Sequence, residues 1–96
     1  MKNNKVAIIL PNFNSSEYLK KTLKSVLNQS YKNWQLIIID DASDKKTIEI
    51  LKKYKKHKKI KIFFLKKNMG AGYCRNYGIR NSKSDYLAFI DSDDTW

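Results

Sequence analysis

The 96-residue sequence is poor in several residue types that mark common classes of protein. Its single cysteine, Cys74, excludes a disulfide framework and any zinc site built from several cysteines. No apolar run approaches the roughly 20 residues that span a bilayer, and the N-terminus carries no apolar signal-peptide stretch. We therefore expect a soluble, cytosolic protein.

Glycine and proline are also scarce, with three glycines and one proline. All three glycines lie between residues 70 and 78, so no glycine-rich turn follows the first apolar run. This excludes both the dinucleotide-binding fingerprint and the phosphate-binding loop with its lysine. A nucleotide bound by this chain would have to be held by side chains and a metal ion.

Acidic residues are outnumbered, nine to twenty, by lysine and arginine, and the net charge is +11. The excess is local, because residues 45–67 contain eleven lysines and one acid, Glu49. Such a segment is typical of a solvated face, of contact with an anionic membrane surface, or of nucleic-acid binding. Tyr54 is the one aromatic residue near the densest lysines, which disfavours stacking on bases and hence nucleic acid as a partner.

The apolar residues, 42% of the chain, are sufficient for a core. Continuous apolar runs lie at 6–10 and 36–39, and residues 60–65 and 86–90 follow the same pattern. Runs without polar alternation are typical of strands covered on both faces of a parallel sheet. The segments between them have helical spacing, which gives the order β-α-β-α-β-α-β. We predict a single α/β domain over residues 1–96: a Rossmann-like, three-layer α/β/α fold with a mostly parallel sheet.

Local signals support three helices. Asn14, Ser15 and Ser16 precede the first helix as capping candidates, and Ser43 or Asp44 precedes the second. The third helix carries small residues on one face, which would let it approach the sheet closely. These residues are Ala71, Cys74 and Gly78.

Acidic residues concentrate where the second and fourth predicted strands end, at residues 40–44 and 91–94. Ligands of open α/β sheets bind beyond the carboxyl ends of the strands. Clustered carboxylates there favour a hard divalent cation such as Mg²⁺ or Mn²⁺ together with substrate phosphates. Helix capping is the competing interpretation: it is favoured for Asp44, left open for Asp40 and Asp41, and disfavoured for the 91–94 cluster.

Five stretches then show a resemblance that covers essentially the whole chain. The chain resembles the N-terminal, nucleotide-binding half of family 2 glycosyltransferases, which are inverting enzymes with the GT-A fold. The matching stretches are residues 8–14 with Tyr18 and Leu19, residues 25–31, residues 39–44, residues 68–72 with 74–79, and residues 89–94, which are similar to the family's Asp-x-Asp motif. Ala42 stands where the family usually has glycine, and Cys74 where it usually has alanine.

The resemblance implies a role for each matching position. Pro11 and Phe13 would pack around the base, and Asp41 would accept a hydrogen bond from a ring N–H of the base. Arg75 would belong to the pocket for the base and phosphates, to which its planar fork is suited. Asp91 would lie near the ribose, Asp93 would bind the metal ion, and Asp94 could share either task.

The resemblance also implies a reaction. A sugar would pass, with inversion, from a nucleoside diphosphate (UDP by family habit) to a hydroxyl of a saccharide or lipid-linked acceptor, with Mn²⁺ or Mg²⁺ as cofactor. The catalytic base would lie beyond Trp96, so residues 1–96 would bind the donor without turnover and the acceptor-binding part would be absent. Peripheral contact with the inner face of a membrane is a further expectation. So is self-association through an exposed edge strand.

Two other functions compete with this interpretation. A nucleotidyltransferase-like protein would also bind a nucleotide on a related sheet, but it would need a glycine- and arginine-rich loop after the first strand, which is absent. A basic binding module would contact nucleic acid or an anionic surface through residues 45–67.

Overall fold

A computed structural model of the chain describes residues 5–29 and 31–90. Strands and helices alternate in it as the apolar runs predict. The elements are β1 (Val6–Asn12), α1 (Ser16–Leu27), β2 (Trp34–Asp40), α2 (Lys45–Lys52), β3 (Ile60–Phe64), α3 (Ala71–Arg80) and β4 (Tyr86–Phe89). None of the helices in these described ranges is long and apolar enough to cross a bilayer.

The four strands form one parallel sheet in the order β3-β2-β1-β4. The chain moves outward from β1 through β2 to β3, and then returns to place β4 on the other side of β1. Asn12 pairs with Asp40 where β1 and β2 end. A reversal of strand order in a parallel sheet opens a crevice at the carboxyl ends of the strands, and here that crevice adjoins the end of β1.

Helices cover both faces of the sheet, as the three-layer prediction requires. Alternate residues of β1 and β2 point to opposite faces. On one face Ile8, Leu10, Leu36 and Ile38 pack with buried residues of α1 and α2. On the other face Ala7, Ile9, Ile37 and Ile39 pack with Cys74 of α3. The predicted α/β class and Rossmann-like layering are therefore confirmed.

Small residues allow α3 to lie close to the sheet, although fewer contribute than the sequence suggests. Cys74 and Gly78 are buried. A Cβ atom added to Gly78 would lie 2.6 Å from Cγ2 of Ile9 and 2.9 Å from Cδ1 of Ile39. Ala71 is exposed, because it is the first residue of the helix and lines a cleft. The close contact is therefore made at Cys74 and Gly78.

The outer strands differ from the expectation that every strand is covered on both faces. β1 and β2 are almost wholly buried, but β4 exposes Tyr86, Leu87 and Phe89. β3 is buried at Ile60 and exposed at Lys61 and Phe64. Edge position explains the difference, since β3 and β4 each pair with one neighbour in the sheet.

The helix caps agree with one of the two predictions. Asp44 caps α2, because Oδ1 of Asp44 accepts a hydrogen bond from the Thr47 backbone N–H at 2.9 Å. Ser15 occupies the N-cap position of α1, but its side chain makes no capping bond there. Its hydroxyl instead donates to the side-chain oxygen of Asn12. The hydroxyl thus joins a polar network at the end of β1, and the predicted side-chain cap of α1 is wrong.

Candidate functional site

Asp41 links three segments at the carboxyl end of the sheet. Its backbone N–H donates to the Asn12 carbonyl at 2.8 Å. One carboxylate oxygen accepts from the Met69 N–H at 2.7 Å, and the other from the Gly70 N–H at 2.9 Å. Its carbonyl accepts from Nδ2 of Asn68 at 3.2 Å. The residue is 4% exposed. Because each carboxylate oxygen has two acceptor sites, capacity remains for a ligand donor.

A cleft of about 560 Å³ opens beside Asp41. Pro11 and Phe13 from the end of β1 line it, together with Tyr18 of α1 and Cys74 of α3. Phe13 is 48% exposed, so its ring is available to a ligand. The volume lies in the range of small-molecule sites, which combine apolar walls with a few polar groups. We call this space the Asp41 cleft; it brings together three of the predicted donor residues, Pro11, Phe13 and Asp41.

Arg75 lies in a neighbouring cleft, also of about 560 Å³. Its lining includes Pro11, Asn76 and Ile79, and it reaches Phe89 of β4. We call it the Arg75 cleft. Pro11 lines both clefts. The structure therefore places Arg75 in a different cleft from Phe13 and Asp41, with Pro11 in the lining of both.

The predicted ribose and metal positions, Asp91, Asp93 and Asp94, lie outside the described residues. Ile90, which precedes them in the sequence, lines the Arg75 cleft. Within residues 5–29 and 31–90, no group of three or more His, Cys, Asp or Glu side chains could hold a metal ion. Asp40 and Asp41 both accept hydrogen bonds from protein donors. The described acids therefore form no metal site on their own.

Sequence reasoning did not find a buried polar network beside the Asp41 cleft. Asp40 is fully buried, and its carboxylate accepts from Nδ2 of Asn12 at 3.1 Å and from Ser43 twice. The two Ser43 bonds come from the backbone N–H at 3.0 Å and from the hydroxyl at 2.6 Å. Asp40 therefore fastens the end of β1 to the loop after β2. The adjacent acids Asp40 and Asp41 are the signal for this network in the sequence. The sequence does not indicate which of the two is hydrogen-bonded in the interior and which faces the cleft.

The same two loops are joined a second time at Asn14. Its backbone N–H donates to the Ser43 hydroxyl at 2.9 Å, and its side-chain oxygen accepts from the Asp44 N–H at 2.6 Å. Each loop also holds a non-glycine residue with positive φ: Asn14 at 47° and Ala42 at 60°. Backbone strain of this kind persists where the surrounding bonds over-determine the conformation, and it is common at functional sites.

The charge on Asp41 also affects its neighbour Cys74. Burial, followed by the charge of Asp41, raises the pKa of the Cys74 thiol to about 11. The thiol is therefore protonated at neutral pH and contributes a neutral wall to the Asp41 cleft. Asp44 shows the opposite effect: Thr47, whose backbone N–H donates to the carboxylate, lowers its pKa. This agrees with its capping role.

Comparison with known proteins adds to this geometry. The profile described as Glycosyl transferase family 2 matches residues 7–96. The putative teichuronic acid biosynthesis glycosyltransferase TuaG of Bacillus subtilis is 40% identical over 92 residues, which cover 95% of this chain and 36% of TuaG. The poly(ribitol-phosphate) beta-N-acetylglucosaminyltransferase TarP of Staphylococcus aureus is 47% identical over 95 residues, 94% of this chain and 28% of TarP.

A solved structure agrees with the fold. The structure of S. aureus TarS 1-349 in complex with UDP-GlcNAc superimposes with a TM-score of 0.87 and 30% identity, covering 95% of this chain and 27% of that one. The chain thus spans about a third or less of the length of these proteins. The family profile covers nearly all of the sequence, and the fold agrees with it. The chain therefore belongs to glycosyl transferase family 2.

Proposed function

We propose that this chain is the donor-binding part of a glycosyltransferase that uses a nucleoside-diphosphate sugar, with UDP as the nucleotide. The observation that carries the proposal is the Asp41 cleft, where an exposed ring, a proline and a buried carboxylate face one space at the carboxyl end of the sheet. The similarity to TarS, whose structure contains UDP-GlcNAc, supports the nucleotide. The reaction and the substrate are inferences for the whole protein, of which this chain matches a part.

In this proposal the base of the donor lies in the Asp41 cleft. Phe13 offers a face for stacking, and a carboxylate oxygen of Asp41 accepts a hydrogen bond from a ring N–H of the base. The backbone N–H groups of Met69 and Gly70 hold that carboxylate in place before the ligand arrives. A preorganised acceptor costs less ordering on binding than a mobile one.

The sugar diphosphate would extend past Pro11 toward the Arg75 cleft. Pro11 lines both clefts, so a ligand longer than a base can occupy the two in sequence. The Arg75 guanidinium suits phosphate oxygens, which it can bind through two parallel N–H groups. Ile90, which directly precedes the acidic segment 91–94 in the sequence, lines this same cleft.

The remaining features of the reaction rest on the family resemblance. We propose that Asp91 contacts the ribose and that Asp93, with Asp94, binds Mn²⁺ or Mg²⁺, which when bound neutralises charge on the diphosphate leaving group. Inversion at the anomeric carbon and a catalytic base beyond Trp96 belong to the same proposal. Residues 1–96 would then bind donor without transferring sugar. Self-association through the exposed β4 edge also remains a prediction.

Calorimetric titration with UDP, with and without MnCl₂, tests the donor site. Phe13→Ala removes an exposed ring, and loss of one stacking contact of about 1–3 kcal/mol weakens binding by roughly five- to more than 100-fold. Tyr86→Ala, which removes an exposed ring at the opposite end of the sheet, is the matched control and leaves affinity unchanged. Equal affinities for wild type and Phe13→Ala would refute the base position.

The metal assignment needs its own variant. Asp93→Asn should abolish the part of UDP affinity that depends on Mn²⁺ and leave the metal-free affinity intact. Asp85→Asn makes the same change of charge at the other end of the sheet and serves as control. Mn²⁺-dependent binding that survives in Asp93→Asn contradicts the proposed ligand. Measurable sugar transfer by residues 1–96 contradicts the proposed position of the base.

A further inference from the structure

The two ends of the sheet differ in charge balance. Four lysines lie at the carboxyl ends, two in the loop after β3 (Lys66 and Lys67) and two in the first turn of α2 (Lys45 and Lys46). Four acids lie beside them: Glu17, Asp40, Asp41 and Asp44. The loops at the amino ends contain one acid, Asp85, and eight lysines. We call these lysines the amino-end surface: Lys5, Lys32, Lys53, Lys55, Lys56, Lys58, Lys59 and Lys83.

The amino-end surface is not the basic segment seen in the sequence. The fold divides residues 45–67 between both ends of the sheet, since α2 begins at the carboxyl end and the 53–59 loop lies at the amino end. It also adds three lysines from elsewhere in the sequence: Lys5, Lys32 and Lys83. The fold, and not proximity in the sequence, therefore brings these eight lysines to one end of the sheet.

Hydrogen bonds join the amino-end loops into one face. The Asp85 backbone N–H donates to the Lys5 carbonyl at 3.1 Å, which ties the loop before β4 to the start of β1. Nζ of Lys59 donates to the Lys32 carbonyl at 2.5 Å, which ties the loop before β3 to the loop before β2. The lysines consequently stand on connected loops.

The positive charge of this face is uncompensated within the described residues. None of its eight lysines makes an ion pair with a carboxylate of residues 5–29 or 31–90. The helix ends that point this way already have basic residues in their last turns, Lys24, Lys52 and Arg80, to offset their negative dipoles. Crowded like charges destabilise the compact state, so an anionic partner would relieve a repulsion that the fold leaves in place.

We propose that the amino-end surface docks on an anionic phospholipid membrane. All eight cations are lysines, which act as point charges toward a diffuse negative surface, whereas specific phosphate recognition favours the planar fork of arginine. Exposed tyrosines accompany them: Tyr31 precedes β2, and Tyr86 begins β4. Such rings are suited to the headgroup region, with one apolar body and one polar end.

Docking in this orientation leaves the donor clefts open. They lie at the opposite end of β1, whose seven residues span about 23 Å at the usual rise for a strand. The membrane would therefore contact one end of the sheet while nucleotide enters at the other. The proposal rests on the placement of the lysines and of the two exposed tyrosines, and it is independent of the donor-site assignment.

Flotation with phosphatidylcholine vesicles, with and without phosphatidylglycerol, tests the docking. Wild type should float with the anionic vesicles only, and less at high salt. The amino-end variant replaces four exposed lysines: Lys53→Gln, Lys55→Gln, Lys56→Gln and Lys58→Gln. The control variant makes the same change of net charge at the carboxyl end: Lys45→Gln, Lys46→Gln, Lys66→Gln and Lys67→Gln.

Each lysine near an anionic surface contributes about fivefold to partitioning, so the amino-end variant should bind at least about 100-fold more weakly than wild type. The control variant should lose about tenfold or less. Equal losses in the two variants would show that net charge alone acts, and would overturn the proposal. So would binding to neutral vesicles, or binding to single-stranded DNA that exceeds vesicle binding at the same salt.

Discussion

Substitution of Gly78 by alanine tests the packing that holds α3 against the sheet. Residues of this helix line both clefts. A Cβ atom at this position would lie 2.6 Å from Cγ2 and 3.1 Å from Cδ1 of Ile9, and 2.9 Å from Cδ1 of Ile39. The contacts with Cγ2 of Ile9 and Cδ1 of Ile39 are shorter than real Cβ contacts allow, so either the helix or these side chains must move. Overpacking of this kind costs about 1–3 kcal/mol.

Gly78→Ala also has a favourable term, because alanine in a helix interior is more stable than glycine by about 1 kcal/mol. The matched control is Gly72→Ala in the same helix, where an added Cβ meets nothing within 4 Å. That variant carries the favourable propensity without the clash. The difference in unfolding free energy between the two variants therefore isolates the packing cost, and we expect about 1–3 kcal/mol, with Gly78→Ala the less stable.

Urea unfolding followed by circular dichroism measures this difference, provided that the m-value stays constant. In thermal unfolding the same difference corresponds to roughly 4–8 °C for each kcal/mol in a domain of this size. Equal stability of the two variants would refute the close approach of α3 to Ile9 and Ile39. Gly78→Ala should also weaken UDP binding, because Cys74 and Arg75 on this helix line the two clefts.

Two further predictions concern buried groups near the Asp41 cleft. Asp40→Asn places an amide N–H₂ group where Asn12 and Ser43 donate hydrogen bonds, so the free energy of unfolding in urea should fall by about 1–3 kcal/mol. The control Asp85→Asn, at an exposed site, should change it by less than about 0.5 kcal/mol. For Cys74, the raised pKa of about 11 means that the unfolded chain loses the thiol proton first, near pH 9, so stability falls between about pH 9 and 11. Cys74→Ala should lack that part of the pH dependence, and parallel pH profiles for the two proteins would contradict it.

The centre of the fold was predictable from residue type alone. The apolar runs of β1 and β2 have no polar alternation, and burial on both faces is the arrangement that uses such runs. The outer strands were not predictable in the same way, because the exposure of Tyr86 or Phe64 depends on which strand becomes an edge. Sequence order does not determine that, since β4 returns beside β1.

The candidate site was predictable to the extent that it follows strand ends. Pro11 and Asp41 come together because β1 and β2 are parallel neighbours in register. The bonds from Met69 and Gly70 to Asp41 were beyond prediction, because backbone N–H donors have no signature in a sequence and lie 28 and 29 residues away. The placement of Arg75 and Asp41 in different clefts likewise depends on how α3 packs on the sheet.

The segments at the ends of β1 and β2 divide their residues between support and ligand contact. In the first segment, Asn12 bonds to Asp40, while the neighbouring Phe13 remains exposed in the cleft. In the second, Asp40 is fully buried, while Asp41 lines the cleft. A left-handed conformation at a non-glycine residue costs roughly 1–2 kcal/mol, and Ala42 at φ 60° bears this strain between the two groups. The buried bonds of Asp40 offset that strain, so residues remote from a ligand position the residues that would contact it.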